Sequence, residues 1–89
     1  MYRYRITVEA LTENAAMHQM SFEAANHDDI MAVVQRIDGK LALDEDATRA
    51  FAVGLKLFGE TILQNRDNLL FQQIRPAFGD FMRSLKQQL

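Results

Sequence analysis

The residues that could support chemistry are few and lie in short clusters. His27, Asp28 and Asp29 follow one another, and imidazole and carboxylate groups are common metal ligands. Three adjacent side chains do not converge on one ion, however, and both aspartates suit the start of a helix, where negative charge is favoured. We therefore interpret this cluster as helix capping and not as a metal site.

A second acidic cluster, Asp44-Glu45-Asp46, could indicate acid–base catalysis because paired carboxylates perform it in some enzymes. The cluster opens a strongly apolar helical pattern, where acidic residues are expected for structural reasons. His18 belongs to the apolar-facing set of a predicted strand, and we interpret it as a packing histidine.

Other catalytic and binding motifs are absent from the sequence. There is no cysteine, no Gly-x-Ser-x-Gly and no His-Glu-x-x-His. The spacing of Gly54 and Gly59 lacks the Lys-Ser/Thr of a phosphate loop. Neither Ser21 nor Ser84 has a histidine placed to activate it. The sequence thus predicts no catalytic, cofactor-binding or metal-binding residue and leans against an enzyme.

Two alternating segments precede the helices and predict an antiparallel hairpin. Their apolar-facing sets are Tyr2, Tyr4, Ile6, Val8 and Ala10, then His18, Met20, Phe22 and Ala24. If both sets face one core, paired residue numbers must have an even sum, and 28 fits the short loop. This register pairs Ile6 with Phe22, Val8 with Met20, Thr7 with Ser21 and Arg5 with Glu23.

Cap residues predict the first two helices. Asn26 is the expected N-cap of a short helix, with Asp28 and Asp29 in its first turn, and Gly39 its C′ residue. Asp44 is expected to cap a long helix that runs to about Arg66.

The long helix carries its polar residues on one narrow stripe. The stripe consists of Glu45, Arg49, Lys56, Glu60 and Gln64, with Ala52 filling the gap. Because the rest of the helix is apolar, we expect it to be buried on more than one side. Phe51 and Phe58 should be almost fully buried.

Pro76 interrupts the third helical region, which we expect to split or kink there. We expect a short turn at about 69–74 and a main helix from about Arg75 to Gln87, with Pro76 at the first helical position. Gly54, Gly59 and Gly79 predict close approaches of helix backbones. The resulting fold is α+β, a two-stranded hairpin packed on three helices (ββααα) in one domain, residues 1–89.

Composition predicts a soluble protein. The charged fraction is 25%, the net charge is −2, and no block of basic residues could neutralise a row of phosphates. No apolar run approaches the roughly 20 residues of a membrane span. We expect a cytoplasmic location and neither nucleic acid nor membrane as a partner.

Several segments resemble a family of short bacterial proteins known only as a domain of unknown function. They are Tyr4–Glu9, Ser21–Glu23, Asn26–Ile30, Ala50–Phe58 and Pro76–Met82. The resemblance spans nearly the whole chain, and residues 51–58 and 65–71 are its most specific parts. It implies a stand-alone cytosolic bacterial protein, without an assigned activity or site.

Three functional hypotheses follow. The first is a non-catalytic interaction or regulatory module that forms a homodimer, through a hairpin edge or the apolar surface around the last helix, and binds an unknown protein partner. The alternative is a small-molecule-binding protein or enzyme with a pocket between hairpin and helices. The third, less favoured, is nucleic-acid binding through the last helix. The residues proposed for the pocket mouth are Tyr2, Arg3, Tyr4 and Arg5, and those for nucleic acid are Arg75, Arg83 and Lys86.

Overall fold

The computed structural model of the protein describes residues 1–89, which form an antiparallel hairpin followed by three helices. In chain order the elements are β1 (Tyr2–Glu9), β2 (Gln19–Asn26), α1 (Ile30–Ile37), α2 (Glu45–Gln64) and α3 (Leu69–Gln88). The predicted ββααα architecture with a long central helix is confirmed. No helix combines the length and apolarity needed to cross a lipid bilayer.

The strands pair in the predicted register. Ile6 lies opposite Phe22, Val8 opposite Met20, Thr7 opposite Ser21 and Arg5 opposite Glu23. On the outer face of the sheet, the hydroxyl oxygens of Thr7 and Ser21 are 2.9 Å apart. Glu23 forms ion pairs with Arg5 at 3.7 Å and with Arg3 at 3.4 Å. Polar cross-strand pairs therefore occupy the face that period-two patterning assigns to solvent.

The prediction that Asn26 caps α1 is wrong. Asn26 is the last residue of β2 and is only 1% exposed. Its Nδ2 donates a hydrogen bond to the carbonyl of Lys56 at 2.8 Å, and its Oδ1 accepts one from the amide of Asp28 at 3.0 Å. A buried amide side chain needs partners for both its nitrogen and its oxygen, and Asn26 has both. The hydrogen bond to Lys56 fixes the end of β2 against α2.

Asp29 is the N-cap of α1 and accepts hydrogen bonds from the amides of Met31 and Ala32. The predicted acidic first turn is therefore absent, since α1 begins after both aspartates. Tyr4 reinforces this helix start from β1. Its hydroxyl accepts a 2.8 Å hydrogen bond from the amide of Ile30 and lies 3.5 Å from Asp29 Oδ1.

The other predicted helix ends agree more closely with the structure. Gly39 follows the C-cap of α1 with φ of +75°, the left-handed conformation that glycine adopts without strain. Asp44 caps α2 through a 2.8 Å hydrogen bond from the amide of Ala47. The helix ends at Gln64, two residues before the predicted Arg66.

The prediction that Pro76 splits the last helical region is wrong, because α3 is one helix of 20 residues with Pro76 inside it. Asn68 starts the helix well before the proline, accepting from the amide of Leu70 at 2.9 Å through its side chain. Proline lacks the amide that would bond to Gln72 four residues earlier, a loss of about 3 kcal/mol. The helix nevertheless continues past Pro76, and the rings of Phe78 and Phe81 beyond it contact α2.

The core is small, and the prediction that Phe51 and Phe58 are almost fully buried is wrong. The buried apolar residues of the core are Ile30, Ile37, Ala52, Ile62 and Leu85. Phe51 is half-buried and Phe58 is 44% exposed. The two rings make edge contacts with α3, Phe51 with Phe81 at 6.1 Å and Phe58 with Phe78 at 5.7 Å between centroids. Aromatic side chains thus bridge α2 and α3.

Part of the polar stripe of α2 faces the protein. Ala52 is fully buried, and the side chains of Lys56 and Glu60 are only 18% and 11% exposed. Both charges are paired with residues that follow β2. Because paired and hydrogen-bonded charges can be removed from water, this face packs against the strand–helix junction.

The apolar face of the hairpin is covered only at one end. Tyr4 contacts the start of α1, whereas Val8 and Met20 are 50% and 51% exposed and Phe22 is also exposed. We expected the helices to cover this face. The long helix α2 reaches as far as Phe22, which lines a cleft with Leu57 and Phe58, and Val8 and Met20 beyond it form an uncovered apolar surface.

The whole molecule is open for its size. It exposes 6901 Å², whereas a monomeric protein of 10.2 kDa exposes about 5,300 Å². The radius of gyration is 14.7 Å, against about 12 Å for a typical domain of this length. Each chain therefore has an excess surface of about 1,600 Å².

Candidate functional site

A cavity of about 310 Å³ lies where the β2–α1 junction meets α2 and α3. We call it the junction cavity. Its polar lining residues are Asn26, His27, Asp28, Lys56, Glu60, Arg66 and Arg75, and its apolar ones are Leu55, Ile62, Leu63, Phe78 and Met82. Gly59 and Gly79 complete the wall. A largely apolar cleft with a few converging polar groups is the usual form of a ligand site.

His27 and Glu60 form the most connected pair in this wall. The Nδ1 of His27 lies 2.9 Å from both carboxylate oxygens of Glu60. The backbone amide of His27 also donates to Glu60 Oε1 at 3.0 Å, and Gln64 Nε2 donates to Oε2 at 2.8 Å. Gln64 is one helical turn beyond Glu60, so α2 supplies both the carboxylate and a side chain that orients it.

These contacts lower the pKa of Glu60. Partial burial acts to raise the pKa, but the hydrogen bonds from the side chains of Gln64 and His27, the amide of His27 and the His27 charge together outweigh it. The net shift is downward from 4.5. Glu60 is consequently a stable carboxylate near neutral pH and a weak candidate for a general acid.

Lys56 and Asp28 form a second ion pair in the same wall, with Nζ and Oδ2 2.5 Å apart. The carbonyl of Lys56 meanwhile accepts from Asn26. Asp28 at the junction is therefore matched by Lys56 of α2, and His27 is hydrogen-bonded to Glu60.

Arg66 and Arg75 are not matched in this way. Both line the junction cavity, and neither takes part in any ion pair of the structure. Lys56 and the two arginines carry three positive charges against the two negative charges of Asp28 and Glu60, so the wall has an excess of positive charge even when His27 is uncharged. The cavity is thus electrostatically suited to a negatively charged group.

The cavity wall contains no serine, threonine or cysteine. His27 therefore has no side-chain nucleophile to activate there, although Glu60 orients its ring as carboxylates do in catalytic pairs. Binding is the chemistry that the arrangement supports best.

The acidic clusters have separate positions in the structure. Asp29 and Asp44 cap helices, as the structural interpretation predicts. His27 and Asp28 are not part of a helix start and instead pair with α2. No group of three or more His, Asp or Glu side chains is placed to hold a metal ion.

The residues expected at a pocket mouth lie elsewhere. Arg3 and Arg5 pair with Glu23 on the outer sheet face, and Tyr4 holds the start of α1. None of these three, nor Tyr2, lines the junction cavity.

The basic residues of the last helix have different surroundings. Arg83 pairs with Asp80 in the same helix, Arg75 lines the junction cavity, and Lys86 lies in the final turn.

Only one of the three helix glycines marks a close approach. A Cβ on Gly59 would lie 3.1 Å from the ring of Phe78, whereas one on Gly54 would meet nothing within 4 Å. On Gly79 it would make only ordinary contact with Arg83, at 3.8 Å. The predicted close approach of helix backbones is therefore wrong for Gly54 and Gly79, and at Gly59 the close neighbour is the Phe78 side chain and not a backbone.

Sequence reasoning did not identify Glu60 and Arg66 as site residues. The spacing of Lys56, Glu60 and Gln64 did place these three side chains on one helix face. No local signal connects that face with His27, because the pairing is tertiary.

Comparisons with known proteins agree with the fold. The sequence model of DUF3861, a domain of unknown function with a solved structure, matches residues 2–87. A protein of unknown function from Pectobacterium atrosepticum has a similar crystal structure, with a TM-score of 0.89, 41% sequence identity and 97% coverage of each chain. No curated protein matches the chain. The protein belongs to the DUF3861 family.

Proposed function

We propose that this DUF3861 protein is a non-catalytic interaction module that works as a homodimer. The observation that carries the proposal is the excess exposed surface of about 1,600 Å² per chain. Two chains that each cover this area bury roughly 3,000 Å² in total, within the range of obligate homodimers.

The dimer surface that we favour is the hairpin patch, which consists of Val8, Met17, Met20 and Phe22. All four side chains are exposed. Val8 and Met20 are cross-strand partners, and Phe22 lies two residues further along the same face. A two-stranded hairpin needs cover on its apolar face. Within the chain, α2 reaches only the edge of the patch, at Phe22, and leaves Val8 and Met20 exposed.

A second copy is the occupant that best fits this patch. Its surface is apolar and methionine-rich, and such side chains adapt their shape to a partner. A twofold axis would place one hairpin patch against the other, so that each chain would cover the exposed apolar face of its partner's hairpin.

A second apolar surface lies on α3, where Leu70, Ile74 and Phe81 are exposed at helical spacing. It is the competing location for the dimer contact. The proposed experiment is therefore designed to separate the two surfaces.

The test compares the mass in solution of three lysine variants by sedimentation. Met20→Lys should convert the dimer to a monomer because it buries a charge in the contact. Ser21→Lys is the matched control, since it adds the same charge at the neighbouring residue on the outer sheet face, where Ser21 lies against Thr7. Ile74→Lys should leave the dimer intact. A dimer that survives Met20→Lys but not Ile74→Lys would place the contact on α3.

The proposal includes a cytoplasmic location, supported by the family resemblance and by a composition that is typical of soluble proteins. Fractionation of the native cell, with detection of the untagged protein, would test it. Recovery with periplasmic or membrane markers would contradict it.

A further inference from the structure

We propose that the junction cavity binds a small organic anion, in which one carboxylate or phosphate group contacts Arg66 and Arg75 and an apolar body lies against Phe78 and Leu63. The site is separate from the hairpin patch and does not depend on the dimer.

The charge of the cavity wall favours a ligand that carries an acidic group. Every carboxylate that lines the cavity is already paired, Asp28 with Lys56 and Glu60 with His27. Arg66 and Arg75 have no carboxylate partner. Guanidinium groups bind carboxylates and phosphates through two parallel hydrogen bonds, so an anion is the ligand that would complete their pairing.

The apolar lining of the cavity favours a ligand with an apolar body. Leu63 and Phe78 lie in the same wall as the two arginines, with Leu55 and Met82. A volume of about 310 Å³ is at the lower end for ligand cavities and suits a single ring or a short chain. An inorganic ion alone would leave this apolar surface unused.

The wall is held in place before any ligand arrives. The ring of Phe78 packs against the bare backbone at Gly59 and against the edge of Phe58. At the next residue of α2, Gln64 and His27 together fix the carboxylate of Glu60. A site whose side chains are already ordered loses less conformational entropy on binding.

The test is a titration of the ¹⁵N-labelled full chain with benzoate and with phenyl phosphate, followed by NMR. Benzamide, which has the same ring without the charge, and inorganic phosphate, which has the charge without the ring, are the matched probes. We expect benzoate or phenyl phosphate to shift the amide signals of Gly59 and Gly79 with millimolar affinity, and both control probes to bind at least about tenfold more weakly.

Variants assign the binding to the two arginines. Arg66→Gln and Arg75→Gln should each weaken binding about tenfold or more. Lys40→Gln is the control, since Lys40 is exposed, belongs to no ion pair and lies outside the cavity. Neither arginine variant should change the dimer mass, which keeps this test separate from that of the proposed function.

Four results would overturn the inference. The first is that neither benzoate nor phenyl phosphate shifts the amide signals at concentrations up to about 10 mM. The second is equal binding of benzamide or of inorganic phosphate, and the third is binding that survives both arginine substitutions. Shifts that depend on protein concentration but not on the added anion would also contradict it, because a second chain would then occupy the cavity.

Discussion

The imidazole Nδ1 of His27 lies 2.9 Å from both carboxylate oxygens of Glu60, although 33 residues separate them in the sequence. The backbone amide of His27 donates to the same carboxylate. One side chain of α2 therefore holds both the backbone and the side chain at the end of β2. This contact connects the hairpin to the long helix and forms one wall of the junction cavity.

The first prediction concerns the acid sensitivity of Glu60. Its pKa is lower in the folded state than the usual 4.5, so folding favours the charged form. The resulting stabilisation is present above pH 4.5 and is lost as the pH falls through the folded pKa. Glu60→Gln should lower the free energy of unfolding at pH 7 and reduce its decline between about pH 5 and pH 3.

Urea unfolding at several pH values measures this effect. Glu45→Gln is a suitable control, since Glu45 is exposed and pairs only with Arg49 in its own helix. If the parent and Glu60→Gln lose stability in parallel on acidification, the pairing of Glu60 contributes nothing to folding.

The second prediction concerns Asn26, whose amide is buried with both of its hydrogen bonds made. Asn26→Ala leaves the carbonyl of Lys56 without this partner and should cost about 2–3 kcal/mol. Asp29→Ala removes a true helix cap and should cost only about 1 kcal/mol. Chemical denaturation of both variants checks the order. An Asn26→Ala variant as stable as Asp29→Ala would mean that Asn26 acts as no more than a local cap.

The fold shows which features a sequence encodes locally. The strand register follows from alternation in both strands, and Gly39 and Asp44 mark helix ends through their own backbone preferences. Pro76 shows the limit of such rules. Its local preference for a helix start is overridden by the continuous helix in which it lies.

The site depends on tertiary packing and could not be predicted in the same way. The spacing of Phe51 and Phe58 shows that one face of α2 is apolar, but it does not show what covers that face. The stripe through Lys56 and Glu60 is polar, yet it packs inward because His27 and Asp28 supply opposite partners. A periodic pattern cannot reveal partners that lie about 30 residues away.

The third prediction concerns the outer sheet face, where Glu23 has two arginine neighbours. A double-mutant cycle on Arg5 and Glu23 should give a favourable coupling of about 0.2–1 kcal/mol that weakens as salt is added. Because Arg3 lies 3.4 Å from the same carboxylate, the coupling should be larger in an Arg3→Ala background. A coupling that is unaffected by salt would show that charge is not its source.

The fourth prediction uses the two glycines of α2. A Cβ at Gly54 meets nothing within 4 Å, so Gly54→Ala should raise stability by about 0.5–1 kcal/mol through its helix propensity alone. At Gly59 the same gain is opposed by the ring of Phe78, 3.1 Å from the added carbon. Gly59→Ala should therefore stabilise the protein less, or destabilise it. Thermal melts of the two variants make the comparison, and equal gains would contradict the close approach at Phe78.

The most direct test of self-association is the mass of the unmodified protein in solution. Sedimentation equilibrium from micromolar to near-millimolar concentration should give about twice the chain mass of 10.2 kDa. Met20→Lys, measured in the same way, should give the mass of a single chain. A parent protein that stays at 10.2 kDa over the whole concentration range would contradict the proposed homodimer.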